Sequence, residues 1–413
     1  MKQTISHTSR ATRFPQKTKL ASLVSAAVMS LCTITATAAE SKNVGKLYGD
    51  FRLRFESVEQ NNALQDAEAL TLRSRIGYKT ASANGFSGLI EIEDSRAIID
   101  DYSVPPSDFN RGVYSVIADP ESNTEIDQAF VQYKAAGISS KLGRQVITLD
   151  NHRFVGHVGW RQDRQTFDAL SVNYAPTKAW GLKYAYLDKR NRIFSDDADI
   201  ESKDHLLNAS YKTGAGKLTA YAYLLEVDNG SENGLDTYGL RYSGKSKSGS
   251  NTFLYSAEYA SQESSSGDNE FDADYIALEG GLKFNGVVAK IGYEKLGSDE
   301  GEFGFSTPLA TLHKFNGWSD QFLGTPNQGL EDVYAVLTGK VAGGKWLIAY
   351  HDFTSDEALE GSDDLGSELN LLYAKKFAKR YNAGIKYAQY DAGSSAFYKV
   401  DTDKLWLWVG AKF

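Results

Sequence analysis

Ten residues near the start of the chain, Leu-Tyr-Gly-Asp-Phe-Arg-Leu-Arg-Phe-Glu at 47–56, decide the fold class. Leu53 and Phe55 alternate with Arg52 and Arg54 in this stretch. Successive side chains of a β-strand point to opposite sides, so an alternation of period two predicts a strand with one apolar and one polar face.

The same alternation recurs along the chain to its last residue, Phe413. No run of eighteen apolar residues follows Ala39, so no membrane-spanning helix is expected there. The pattern predicts strands at 46–58, 67–80, 85–96, 124–135, 138–148, 166–175, 179–189, 203–213, 216–228, 234–245, 250–262, 273–284, 286–297, 330–341, 344–354, 365–377, 380–391 and 402–413.

The segments between these strands are alternately short and long. The long ones are 59–66, 97–123, 149–165, 190–202, 229–233, 263–272, 298–329, 355–364 and 392–401. Short turns at one end and long loops at the other are typical of an outer-membrane barrel. Hydrocarbon offers the backbone no hydrogen bonds, so a membrane-spanning sheet must close on itself. The sequence therefore predicts an all-β, antiparallel up-and-down barrel of about eighteen strands, with both termini periplasmic.

The first 38 residues differ from the rest. A basic start is followed by a short apolar run, Leu20 to Leu31, and by the small residues Ala36-Thr37-Ala38. This order predicts a secretory signal peptide at 1–38 and a barrel at 39–413, in a Gram-negative outer membrane. The apolar run is short for a transmembrane helix. Cleavage would remove Cys32, the only cysteine, and would make a chain of net charge −8 still more acidic, so nucleic acid is not an expected partner.

Two segments carry a more specific resemblance. The first runs Gly-Arg-Gln-Val-Ile-Thr-Leu-Asp at 143–150 and continues through Trp-Arg-Gln-Asp-Arg-Gln-Thr-Phe-Asp at 160–168. The second is Thr-Pro-Leu-Ala-Thr-Leu-His-Lys-Phe-Asn-Gly-Trp at 307–318. The chain resembles the alginate-export family of outer-membrane porins. That resemblance implies an eighteen-stranded monomer. It leaves open whether the lumen exports an anionic polysaccharide, as in the family's namesake, or serves as a general porin.

Basic residues are the candidate functional groups, since arginine is always charged and presents forked donors to carboxylates. The predicted pore-lining residues are Arg52, Arg54, Arg73, Arg75, Lys79, Lys134 and Arg144, although Arg144 shares its alternation with Leu142. Arg153, Arg161 and Arg164 belong to a long loop predicted to fold inward as a constriction. The alternative is that these charges pair with lumenal acids and only stiffen the wall.

The loop at 298–329 contains His313, Phe315 and Trp318, which are candidates for a sugar-stacking platform or a gate. A loop this long without secondary structure is usually functional or mobile. The competing interpretation is a packed edge of a plug.

The sequence predicts a passive channel for small hydrophilic solutes or oligosaccharides, anionic ones included. The alternatives are a dedicated exporter of an anionic polysaccharide such as alginate, and a barrel-based surface adhesin. No enzymatic motif is found, and His152 and His157 lack a third ligand at metal spacing, so neither a metal nor a cofactor is expected. The expected partners are membrane lipid, lipopolysaccharide, the transported solute, and the barrel-assembly machinery through Phe413.

Overall fold

The structure, a computed structural model, describes residues 45–413. The predicted signal peptide at 1–38, with Cys32, lies outside the described residues, as do residues 39–44. Among the residues described, no helix is long and apolar enough to cross a membrane.

Eighteen antiparallel strands form one sheet in which each strand pairs with its neighbours in sequence. We number them in chain order: β1 Lys46–Gln60, β2 Ala67–Lys79, β3 Phe86–Asp101, β4 Ser122–Ala135, β5 Ile138–Gln145, β6 Thr166–Tyr174, β7 Trp180–Asn191, β8 Ile200–Lys212, β9 Gly216–Leu225, β10 Asn233–Ser248, β11 Asn251–Ser266, β12 Asn269–Phe284, β13 Val287–Leu296, β14 Leu330–Val341, β15 Gly344–Leu359, β16 Ser362–Phe377, β17 Tyr381–Asp391 and β18 Thr402–Lys412. β1 also pairs with β18, from Asp50 opposite Lys412 to Gln60 opposite Thr402, which closes the barrel. The predicted fold class is confirmed.

Two of the predicted long loops are wrong. The segments 263–272 and 355–364 are strand extensions joined by tight turns, since β11 continues to Ser266 and β15 to Leu359. The turns at Gly267 and at Glu360-Gly361 have the positive φ angles that tight hairpins require. Apart from Phe271, Ala358 and Leu359, the extensions are polar on both faces, because they reach past the hydrocarbon. The alternation that marks a membrane strand is therefore missing from them.

The two faces of the barrel wall have opposite chemistry. The outward face carries exposed apolar side chains such as Leu142 and Ile291, each 65% exposed. The inward face carries polar and charged side chains, and many of them are buried, including Arg54, Glu93 and Asn370. Burial of inward residues means that something fills the lumen.

Three loops at the end opposite the turns fold into the barrel. We call them L2 (102–121), L3 (146–165) and L7 (297–329); L7 includes a small hairpin of Ser298–Asp299 with Phe303–Gly304. On one side of the lumen, Phe154 of L3 packs on wall residue Tyr275 at 5.2 Å and on Phe305 of L7 at 6.0 Å between ring centroids. The loops therefore share a hydrophobic core with the inner wall.

Candidate functional site

Two arginines of β1 hold the backbone of L3. Arg52 donates from Nη2 to the carbonyl oxygens of Trp160 at 2.7 Å and of Arg161 at 2.5 Å, and from Nε to Gln162 at 2.9 Å. Arg54 donates to the carbonyl of Trp160 at 2.5 Å and forms an ion pair with Asp119 of L2. Strand alternation turns both arginines inward, where the loop carbonyls occupy their donors.

Arg161 links L3, the wall and L7 in one buried ion-pair network. Its Nη1 lies 3.2 Å from Glu56 of β1, and its Nη2 lies 2.6 Å from Asp320 of L7. Asp320 also pairs with Lys404 of β18 at 2.9 Å. These groups are nearly inaccessible to solvent, so each charge depends on its partners for stabilisation.

An aromatic cage surrounds the amino group of Lys386 on β17. The Nζ atom lies 4.6 Å from the ring centroid of Trp160, 3.9 Å from that of Trp318 and 4.9 Å from that of Trp406. The cage is assembled from L3, L7 and the wall. Cation–π attraction is strongest where water is excluded, so this arrangement ties both loops to the last strands.

His313 of L7 connects the cage to the ion-pair network. Its Nδ1 lies 2.6 Å from Asp320, and its Nε2 lies 2.6 Å from the amino group of Lys386. A neutral imidazole can donate to the carboxylate and accept from the ammonium. Burial lowers the pKa of His313 to about 3 despite Asp320, with Lys386 adding to the decrease. Burial alone would raise the pKa of Asp320, but His313, Lys404 and Arg161 hold it well below its usual range.

A second network fixes the other side of L3. Arg153 pairs with Glu294 of β13 at 2.7 Å and lies 3.0 Å from Thr307 and 3.3 Å from Asn316, both of L7. Its guanidinium carbon lies 5.0 Å above the Phe315 ring. Arg153 therefore also joins L3 to L7 and to the wall.

The carboxylate of Glu368 on β16 caps a turn of L7. It accepts hydrogen bonds from the backbone N–H groups of Trp318 and Ser319, the latter at 3.0 Å. Gly317, just before them, has φ +82°, and a Cβ atom there would overlap the Glu368 carboxylate. The turn requires glycine for its conformation and for this close approach.

Substitution G317A should therefore release this turn of L7 from β16 and expose Trp318. We expect faster proteolysis of L7 and greater access of a soluble quencher to tryptophan, with unchanged β-sheet circular dichroism. G324A is the matched control, since Gly324 lies in the same loop and has open space around its Cβ position. Equal protease sensitivity of the two variants would contradict this role of Gly317.

The remaining predicted arginines face inward and are paired with acids. Arg73 lies 2.9 Å from Asp50. Arg75 pairs with Glu93. Arg164 of L3 pairs with Glu91 and with Asp127, the latter at 2.5 Å. Arg73 and Arg75 thus join neighbouring strands of the wall, whereas Arg164 holds L3 against β3 and β4. A free ring of guanidinium groups is not what the described residues form.

The lysines and Arg144 lie elsewhere. Lys79 and Lys134 are exposed at the turn end of the barrel, away from the loops. Arg144 is on the outward face, because it shares the register of Leu142 and lies opposite Asp168, with which it pairs at 2.8 Å. Its prediction as a pore-lining residue is wrong for this reason.

Several residues of the site were missed from the sequence. They are Asp119, Trp160, Asp320, Glu368, Lys386 and Lys404. Alternation could have placed Lys386 and Lys404 inside, since both follow the inward parity of their strands. For the loop residues no such signal exists, because the path of a long loop is not periodic.

A cavity remains on the side of the lumen away from β1. Its volume is about 310 Å³. The cations at its lining are Arg241, Lys290 and Lys314, and its aromatic groups include Phe315 and Trp318. Arg241 pairs with Glu258 and Lys290 with Glu279, whereas Lys314 donates to the carbonyl of Asn151 at 2.6 Å. Within 45–413 no cluster of His, Cys, Asp and Glu is arranged to hold a metal.

A closed eighteen-stranded barrel with an apolar outer face and a polar, loop-filled lumen defines an outer-membrane protein of the porin architecture. Residues 44–290 match the model of the alginate-export family. The chain belongs to that family, as the motif segment at 143–168 predicted; the second motif segment, at 307–318, lies outside the matched residues. A comparison with curated proteins gives no match.

Solved structures share the fold at low sequence identity. OccAB4 of Acinetobacter baumannii is 12% identical, with a TM-score of 0.72 over 90% of this chain and 98% of its own. OccAB3 of the same species is 14% identical, with a TM-score of 0.71 over 89% and 99%. OpdK of Pseudomonas aeruginosa, determined with vanillate, is 12% identical, with a TM-score of 0.66 over 89% and 98%.

Proposed function

We propose that this protein is a monomeric, passive channel for small hydrophilic solutes, with small carboxylates preferred. The observation that carries the proposal is the inward folding of L3 and L7, which leaves a cavity of about 310 Å³ beside them. Such a volume suits a small molecule better than a polymer. No enzymatic step is part of the proposal.

The chemistry of the cavity supports the preference for carboxylates. Lys314 has no carboxylate within 4.0 Å in the described chain. Its amino group lies 5.1 Å from the Phe315 ring centroid, and Trp318 also lines the cavity. An ammonium next to aromatic rings suits an anion with an apolar or aromatic body. Vanillate, the molecule in the OpdK structure, is of this class.

Export of an anionic polysaccharide is the second candidate, and membership of the alginate-export family favours it. A polymer needs a continuous wide path, so this candidate requires L3 and L7 to leave the lumen together. The buried network of Arg161 with Glu56 and Asp320 opposes that movement. We therefore place it behind the small-solute channel.

In the proposed orientation, the turns and both termini lie on the periplasmic side, and the loops lie outside, in contact with lipopolysaccharide. Phe413 packs edge-on against Phe51 at 6.3 Å, beside the β1 and β18 seam. Recognition of this terminal residue by the barrel-assembly machinery remains part of the proposal.

Planar-bilayer recording of the purified protein under a potassium chloride gradient tests the proposal. We expect a small stable conductance with a reversal potential that indicates anion preference. K314Q should lower that preference roughly twofold, because it removes from the path a cation that no carboxylate of the described chain neutralises. R144Q is the control, because Arg144 faces outward, and should leave the preference unchanged.

Liposome swelling separates the two candidate functions. Small aromatic and aliphatic carboxylates should enter vesicles that contain the protein, whereas an acidic oligosaccharide should not. Wild-type vesicles that exclude both, with no conductance in bilayers, would end the channel proposal. Equal entry of the oligosaccharide would favour polymer export.

A further inference from the structure

The turn end of the barrel carries lysines that face one another across adjacent strands. Register places Lys46 opposite Lys79, Lys212 opposite Lys217, and Lys340 opposite Lys345. In each strand, these lysines occupy the alternate positions whose side chains face the lumen. We call these six residues the lysine collar.

Most of the collar has no counter-charge from the protein. In the part of the chain that the structure describes, no carboxylate lies within 4.0 Å of Lys46, Lys79, Lys340 or Lys345, and all four are exposed. Among the described residues, Lys217 alone of the six has an acidic partner, Asp150 at 2.6 Å. Like charges directly opposite each other destabilise a sheet. The fold thus retains an uncompensated pair of like charges at two places around one rim, Lys46 with Lys79 and Lys340 with Lys345.

The sequence of the turns extends this pattern. None of the eight turns between paired strands contains Asp or Glu, and each contains a lysine or has one within two residues of it. Neighbouring lysines in a concave mouth sum to a positive potential that attracts anions.

The opposite end of the barrel has the reverse charge. The hairpins at 262–274 and 352–364 contain several Asp and Glu residues and neither Lys nor Arg. Both hairpins extend beyond the wall at the loop end. Net charge therefore changes sign along the barrel axis. If the charges only paired with one another to stiffen the wall, this difference between the two ends would not be needed.

We propose that the lysine collar is a capture site for multivalent anions, phosphates or polycarboxylates, which enter the barrel from the turn end. Its inward parity directs the ammonium groups to the lumen, so lipid headgroups around the barrel do not neutralise them. The site is separate from L3 and L7 and concentrates anions before they reach the loops. The inference rests on the proposed channel and adds a preferred side of entry to it.

Single-channel recording with tripolyphosphate tests the collar. Channels are oriented through S266C at a loop-end hairpin, labelled with a thiol-reactive biotin and detected by streptavidin from one chamber. At about 0.1 M salt, where the screening length is roughly 10 Å, the blocking on-rate should be about tenfold higher from the turn side than from the loop side.

The variant K46Q/K79Q/K340Q/K345Q should abolish most of this difference. The control K178Q/K375Q also removes charge from the turn end, but Lys178 lies in a turn and Lys375 has outward parity with Leu371. The control should behave as wild type. Equal block from both sides, or equal loss in the two variants, would overturn the collar.

A second measurement keeps the collar testable if no conductance is found. Calorimetric titration of tripolyphosphate into the detergent-solubilised protein should show binding that weakens about tenfold in the quadruple variant. If bilayers showed no conductance but binding weakened in the quadruple variant, the channel would be rejected and the anion site would be retained. Unchanged binding in the quadruple variant would reject the site.

Discussion

Replacement of Arg161 by methionine should give the largest change in conductance of any single substitution. Arg161 is the buried cation between Glu56 on the wall and Asp320 on L7. Without it, each of the two carboxylates loses one cationic partner in an environment that excludes water. The docked state of the loops should lose about 3–5 kcal/mol of stability. We expect a larger and noisier single-channel conductance, faster hydrogen exchange in L3 and L7, and an intact barrel.

R96M provides the matched control for this substitution. Arg96 also pairs with an acid, Asp94 at 3.0 Å, but its side chain is 53% exposed on the outer face. An exposed pair contributes little, so this variant should conduct as wild type. If R161M and R96M gave the same conductance and the same exchange rates, the network would not hold the loops in place.

Acidification should release the same loops through His313. Burial lowers the pKa of His313 to about 3 in the docked arrangement, from 6.5 in water. The docked state therefore favours neutral histidine, and its stability is complete above pH 6.5 and falls as the pH drops toward 3. At pH 5 the loss is about 2 kcal/mol, or about thirtyfold in the open population, provided that the released loop restores the ordinary pKa. Asp320, with its lowered pKa, adds to the loss only below its usual range.

Open probability measured between pH 7.5 and 4.5 checks this expectation. Replacement H313Q should flatten most of the profile, because glutamine does not titrate. His157 of L3 has a pKa lowered to about 4 by burial and nearby cations, so it acts in the same direction, and H157Q measures its share. A profile that is flat in wild type, or unaltered in both variants, would remove the histidines from gating.

The strands were predictable because burial on one face and lipid on the other impose strict alternation. This is why β1, β2 and β18 matched their predicted ranges within two residues. Alternation fails past the membrane, where both faces meet water, and for that reason the extensions of β11 and β15 were missed.

For the site, strand alternation predicted only which wall side chains face the lumen. Strand alternation correctly predicted that Arg52 and Arg54 face the lumen. Applied to β5 in the same way, it would also have predicted that Arg144 faces outward, as Leu142 does. It could not identify what the inward arginines bind, because Trp160 and Asp320 reach the lumen through aperiodic loops. The motif segments identified those loops as distinctive, but the contacts they make depend on the closed barrel.

Trp160 has a further consequence at the junction of the first and last strands. Its ring lies 5.2 Å from the Arg54 guanidinium carbon and 5.3 Å from the Trp408 ring, and those two residues face each other across that junction. The ring can find both neighbours only after the chain ends have met, so docking of this tryptophan follows cylinder completion during biogenesis. Once docked, it braces the joint from within, and any sideways parting of the two strands toward lipid would first have to dislodge it.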